Sequence, residues 1–127
     1  MKPLVIIADD LSGAAESAAG FLLRSSGISL RLGPDAPDGS GVTVFDLHSR
    51  RSDPARASRD VRSVLQSSDG SEIVKKIDSL LRGNIAAEVG ELSRDGSPVI
   101  VAAGLPSCRT SPCRCCPSTW ARTRAST

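Results

Sequence analysis

Leu4-Val5-Ile6-Ile7-Ala8 is an unbroken apolar run that stops at two consecutive acids, Asp9 and Asp10. A strand with one wet face alternates apolar and polar residues. A run with no polar member is buried on both faces, as strands are when helices cover both sides of a parallel sheet. The pattern returns along the chain. Val42-Thr43-Val44-Phe45 ends at Asp46, Ile73 to Ile77 ends at Asp78, and Val99-Ile100-Val101-Ala102 makes a further run. Ile28 to Leu32 fits a shorter strand.

Helical segments fall between these runs. Ser12-Gly13 opens the first, with Ala15, Ala18, Phe21 and Leu22 at helical spacing. Asp53-Pro54 is a strong start for the second, a capping acid followed by proline in the first turn. Its apolar face is Ala57, Val61, Val64 and Leu65. Asn84 is placed to cap the third, whose inner face would be Ile85, Val89 and Leu92. Strands alternating with helices predict an α/β domain with a parallel sheet and right-handed crossovers.

The chain has 127 residues, the size of one domain. Aromatics are 2% with no Tyr, so the core must be aliphatic, and stacking platforms for single-stranded nucleic acid are not expected. Four of the 16 Lys and Arg residues (Arg109, Arg114, Arg122, Arg124) lie after Ser107, where there is no acid. The remainder is slightly acidic, which excludes a nucleic-acid footprint. The first apolar run is too short for a membrane span and is flanked by acids, so no membrane association and a cytoplasmic location are expected.

In open parallel sheets, ligands bind beyond the carboxyl ends of the strands. The first run delivers Asp9 and Asp10, then Ser12-Gly13 at a helix start. The third delivers Asp46, with His48, Ser49, Arg50 and Arg51 just after. The fourth delivers Lys76, Asp78 and Ser79, then Arg82-Gly83-Asn84 at another helix start. Arginine forks and backbone N–H groups suit a carboxylate or phosphate, and aspartates accept hydrogen bonds from sugar hydroxyls. One aspartate could also take the proton of a hydroxyl attacking a phosphoryl group. The collection suits a polyhydroxy acid. His48 and Arg51 read as surface groups.

Ile7-Ala8-Asp9-Asp10-Leu11-Ser12-Gly13-Ala14 resembles the opening motif of the four-carbon acid sugar kinase family. Lys75-Lys76-Ile77-Asp78-Ser79-Leu80-Leu81-Arg82-Gly83-Asn84 resembles its second signature, and Phe45-Asp46 through Ser49-Arg50 the segment between. The resemblance implies a Rossmann-like α/β domain over residues 1–107, incomplete at its C-terminal end, that holds the sugar acid. A separate ATP-binding domain would hold ATP and Mg²⁺. By similarity, Asp9, Asp10, Arg50, Lys76, Asp78, Ser79, Arg82, Gly83 and Asn84 would line the substrate side, with Asp10 or Asp78 as candidate base. The resemblance implies a small acid substrate of threonate or erythronate type. No metal site is assigned to the chain itself. Leu80 stands where the family usually has Thr, and Ser12 replaces another Thr.

Ala103-Gly104-Leu105-Pro106 begins a third family motif whose glycine-rich continuation fails at Cys108. From Cys108 to Thr127 there is no Val, Ile, Leu, Phe or Met, so this segment is expected to be a disordered tail arising from a frameshift or chimeric end. Its four Cys include a C-x-x-C pair, Cys113 and Cys116, but lack the paired knuckles of a zinc site. No G-x-x-x-x-G-K-[ST] loop is present, so the isolated chain is expected neither to bind ATP strongly nor to phosphorylate anything. The rival reading is a receiver-like signalling module using Asp9, Asp10 and Asp46 as Mg²⁺ ligands and phospho-acceptor. That module needs a Lys after the fifth strand, and Val99 to Pro106 has none.

Overall fold

The computed structural model describes residues 2–25, 27–37 and 41–102. Its elements, in order, are β1 (Leu4–Ala8), α1 (Leu11–Ala19), β2 (Ile28–Leu32), β3 (Val42–Asp46), α2 (Pro54–Ser67), β4 (Glu72–Lys75) and α3 (Ile85–Leu92). The four strands form one all-parallel sheet in the order β2-β3-β1-β4. The chain has the α/β architecture that its apolar runs predict.

The unbroken runs have the expected cause. Side chains of β1 alternate between two cores, one on each side of the sheet. Val5 and Ile7 pack with Phe45, Leu47, Val61 and Val64 under α2. Ile6 and Ala8 pack with Ala14, Val42 and Val44 under α1. Strand β3 is buried throughout, while the outer strands β2 and β4 are only partly covered.

Helix α2 starts as its sequence demands. The Asp53 carboxylate accepts from the N–H groups of Ala55 and Arg56, and Pro54 occupies the first turn. Helix α1 begins at Leu11, one residue earlier than expected, because Asp10 is its cap. Its buried face is Gly13 and Ala14, with Ala18 and Phe21 packed behind, whereas Ala15 is exposed and Leu22 is 67% exposed. In α3 the fully buried residue is Glu88, while Ile85, Val89 and Leu92 are half-buried.

Two strand expectations need correction. Strand β4 stops at Lys75, although the Lys76 N–H still bonds to the Ile7 carbonyl at 2.8 Å. Residues 99–102 do not form a strand, and Ile100 is 94% exposed. A strand in that position would need a cover for its outer face. Among the described residues no helix follows to supply one. The Ala103–Pro106 motif and the cysteine-bearing tail lie outside the described residues.

The topology positions the site. From β1 the chain turns into α1 on one face, and from β3 into α2 on the other. The two strands are neighbours, so their exits diverge and leave a crevice at their carboxyl ends.

Candidate functional site

Register brings three strand exits together. Ala8 lies beside Asp46, and Ile7 beside Lys75. The residues that follow each strand therefore emerge at one end of the sheet. Backbone bonds from Leu47 N–H to the Ala8 carbonyl (3.1 Å) and from Arg50 N–H to the Asp9 carbonyl (3.2 Å) extend the pairing past the last ladder residue.

Arg50 is the hub. Its Nε lies 2.9 Å from Asp9 Oδ2, and its Nη2 lies 3.2 Å from Asp9 Oδ1, a two-pronged pair. Its Nη1 is 2.9 Å from Asp10 Oδ2, and Nη2 is also 3.3 Å from Asp78 Oδ1. One guanidinium thus meets carboxylates from two different strand exits. Its pKa is raised, first by the hydrogen bond to Asp9 and then by the charges of Asp9, Asp10 and Asp78, against the opposing effect of burial. The fork that the sequence offered to a ligand carboxylate is turned onto the protein's own acids.

Asp78 organises the loop after β4. Its Oδ2 accepts from Leu80 N–H (3.1 Å), Arg82 N–H (3.2 Å) and Arg82 Nε (2.7 Å), and its Oδ1 accepts from Arg82 Nη2 (2.7 Å). The Arg82 guanidinium, together with the N–H groups of Arg82 and Leu80, holds this carboxyl well below the usual carboxylate range despite its burial. Such an acid is a poor proton acceptor. Arg82 is raised by the same pair, and its side chain is 57% exposed. Among the described residues its Nη1 has no hydrogen-bond partner.

Asp10 differs from its neighbours. Its Oδ1 accepts from Gly13 N–H at 2.9 Å and so caps α1, yet its side chain is 27% exposed against 4% for Asp9. The Gly13 N–H is therefore used within the protein. Gly83 has φ +93, and a Cβ there would come within 3.1 Å of Asp9 Oδ2 and 3.4 Å of Arg50. The backbone at Gly83 approaches the acid this closely only because it has no side chain.

The other residues drawn from the sequence divide. Lys76 points its Nζ to the Ile77 carbonyl (3.2 Å) and lies 3.7 Å from Glu16, still one-third exposed. Ser79 is exposed beside Asp78. Asn84 occupies the N-cap position of α3 as expected, but its side chain makes no cap bond; its amide donates to the carbonyls of Ser49 and Ser52, both at 2.8 Å, and so holds the loop that carries Arg50. Asp46 is buried, with Oδ1 accepting from the His48 N–H at 2.8 Å.

A cavity of about 260 Å³ opens at this point, lined by Asp9, Asp10, His48, Arg50 and Arg51. His48 and Arg51, surface groups in the sequence reading, are on its wall. The signal was available in their position two and five residues past the end of β3. A larger cavity, about 1120 Å³, lies elsewhere, between β4, α3 and residues 97–102. It is away from the charged cluster, and the chemistry of the small crevice makes it the better candidate site. Among the described residues no group of three or more His, Cys, Asp or Glu is arranged to hold a metal ion.

Fold and site together define a parallel α/β binding domain whose polar groups gather where the strand order reverses. Residues 4–110 match the family described as the sugar-binding N-terminal domain, and the chain belongs to that family, the N-terminal domain of the four-carbon acid sugar kinases. It is 38% identical over 109 residues to a D-threonate kinase of Cupriavidus necator, a match that covers 81% of this chain and 26% of the relative. The chain thus spans about a quarter of the length of that curated relative. No solved structure matches it. Nothing in the structure or the relatives favours the receiver-like reading, whose acids are here bound to Arg50 and to the His48 backbone.

Proposed function

We propose that this chain is the acid-binding part of a kinase that phosphorylates a hydroxyl of a four-carbon sugar acid such as threonate or erythronate. The observation that carries this reading is the Asp9–Asp10–Arg50–Asp78–Arg82 cluster at the β1–β3 crevice, in a chain of the sugar-binding family. Arg82, through its Nη1, and Lys76 would meet the substrate carboxylate. Asp10 would accept from a sugar hydroxyl, and Ser79, Gly83, His48 and Arg51 would shape the rim. Arg50, Asp9, Asp78 and Asn84 would hold this arrangement in place.

Asp10 suits the role of base better than Asp78. It is the more exposed carboxylate, and each of its oxygens keeps a lone pair beyond the bonds to Gly13 and Arg50. Asp78 is held ionised by four hydrogen bonds. The described residues do not fit a magnesium nucleotide. The sequence has no G-x-x-x-x-G-K-[ST] loop, and the cluster's carboxylates are met by guanidinium groups rather than arranged around an ion. The donor, ATP with Mg²⁺, would be held by a further domain, and residues 1–107 would serve as the binding unit.

Calorimetric titration of the chain with D-threonate, D-erythronate and the neutral tetritol threitol tests this reading. An acid should bind at least about tenfold more tightly than threitol, the factor set by one charged hydrogen bond. A folded chain that binds neither acid at millimolar concentration would refute it.

A further inference from the structure

Behind the charged crevice lies a second polar group that the proposed site does not use. Glu88, on the inner face of α3, is 1% exposed. Its Oε1 accepts a hydrogen bond from the Ser49 hydroxyl, which is itself fully buried. Its Oε2 stands 3.1 Å from Lys75 Nζ, an ion-pair contact rather than a well-aligned hydrogen bond. Lys75 is 5% exposed at the end of β4, and its ammonium also donates to the Lys76 carbonyl at 3.2 Å.

These contacts join two of the three strand exits that meet at the charged cluster, those of β3 and β4. Ser49 immediately precedes Arg50, the hub of the cluster. Lys75 immediately precedes Lys76, and its Nζ holds the carbonyl that leads on to Asp78. Burying a carboxylate and an ammonium together costs several kcal/mol of solvation, and a pair of apolar side chains would fill the same space at less cost. Fold stability therefore gives little reason for an acid here. Position gives one: a hydroxyl on so short a side chain needs an acceptor that reaches in to meet it.

We propose that Glu88 is a positioning residue. Through Ser49 it fixes the loop that carries Arg50, with Lys75 as the counter-charge that lets the acid stay buried, so that helix α3 holds the β3 exit in place at the crevice. The functional consequence rests on the acid-binding reading above; the geometric claim does not. Asn84, one turn earlier, acts in the same sense by holding the Ser49 and Ser52 carbonyls.

Two double variants of the full chain separate acceptor from charge. Lys75→Met with Glu88→Gln removes both charges and keeps an oxygen for Ser49. Lys75→Met with Glu88→Leu removes the charges and the oxygen. The readouts are solvent exchange of the Arg50 Nε–H, followed by NMR without ligand, and exchange of the Ile6 and Val44 amides in the central strands. The Gln variant should keep the wild-type Arg50 exchange rate. The Leu variant should raise it at least about tenfold, the factor set by one hydrogen bond to a charged group, with the strand amides unchanged. Equal Arg50 rates in the two variants, or a parallel rise at Ile6 and Val44, would overturn the proposal. Titration of the same proteins with D-threonate then separates the two readings. Wild-type protein that fails to bind refutes the acid-binding function alone. Binding by wild type and the Gln variant, with about tenfold weaker binding by the Leu variant, supports both.

Discussion

The crevice between β1 and β3 and the outer edge of β4 are a short distance apart in one small domain, yet they are finished differently. At the crevice, every carboxylate of the cluster stands within 3.3 Å of a guanidinium nitrogen. At the β4 edge, Val74 is 47% exposed and Ile100 is 94% exposed, beside a cavity of about 1120 Å³. The contrast follows from what each kind of group demands. A buried charge must find its partner within a few ångströms, so the crevice is closed by residues close at hand on three strand exits. Apolar surface asks only for some cover, and the described residues supply little beyond β4. The site is therefore built without help from whatever covers that edge, and substitutions on the two sides should behave unequally.

The largest effect is expected from Arg50→Met. It leaves Asp9 and Asp78, both nearly buried, without their shared cation. Removing one partner of such a cluster should cost about 3 kcal/mol, which denaturant unfolding will read. Arg50→Lys should recover less than half of this, because a single ammonium cannot reach three carboxylates at once. Equal stability of Arg50→Met and wild type would mean that the crevice is as loosely built as the edge.

Next comes Gly83→Ala, compared with Gly70→Ala. Both glycines have positive φ, but a Cβ at Gly70 meets nothing within 4 Å, while one at Gly83 presses on Asp9 and Arg50. The backbone conformation alone should cost about 1 kcal/mol at Gly70. Gly83→Ala should cost about 1 kcal/mol more and should weaken acid binding as well, whereas Gly70→Ala should leave binding unchanged. Equal costs would show that the close approach at Gly83 is relieved by a small shift.

Acid titration of stability compares the crevice with the helix pair near the β4 edge. Asp78 is depressed by Arg82, and Glu91 on α3 is pushed down to about 2, first by its hydrogen bond with Arg62 on α2. A depressed carboxyl adds stability that is complete above its unfolded pKa, about 4, and is lost as pH falls through its folded value. Stability should therefore decline from about pH 4.5 towards pH 2. Asp78→Asn and Glu91→Gln should each flatten part of that decline. Both shares should shrink in 1 M salt, since Arg82 is 57% exposed and Arg62 is 40% exposed. A profile unchanged by Asp78→Asn would show that its contacts do not persist in solution.

Much of this arrangement was legible in the residues. The unbroken run Leu4–Ala8 required cover on both faces, and Asp53-Pro54 marked a helix start, because each depends on local chemistry. The strand-end rule gathered Asp9, Asp10, Arg50 and Asp78 into one place. What each side chain does there was not legible. Whether Arg50 faces a ligand or three neighbouring acids depends on distances across two crossovers, which no local pattern records. Glu88 was hidden for a related reason. It stands three residues after Ile85 and one before Val89, on the expected inner face, but an acid in that phase is ordinarily assigned to solvent. Only the burial of Ser49 and Lys75 gives it a partner.

The run Val99–Ala102 sharpens the comparison with the smallest expected effect. Its composition predicts a strand, yet it makes no ladder with β4 and leaves Ile100 in solvent. Ile100→Ser should then change stability by less than about 0.5 kcal/mol, as exposed substitutions do. If the segment instead pairs with β4 in solution and tucks Ile100 against α3, the same change would remove a buried side chain and cost about 2 kcal/mol or more. Hydrogen exchange at Val99 and Val101 distinguishes the cases independently, since only a paired strand protects those amides. Fast exchange with a silent Ile100→Ser variant would mean that the domain keeps its charged crevice in order while its last apolar run stays off the sheet. Protection with a destabilised variant would make β4 an inner strand and extend the sheet by one.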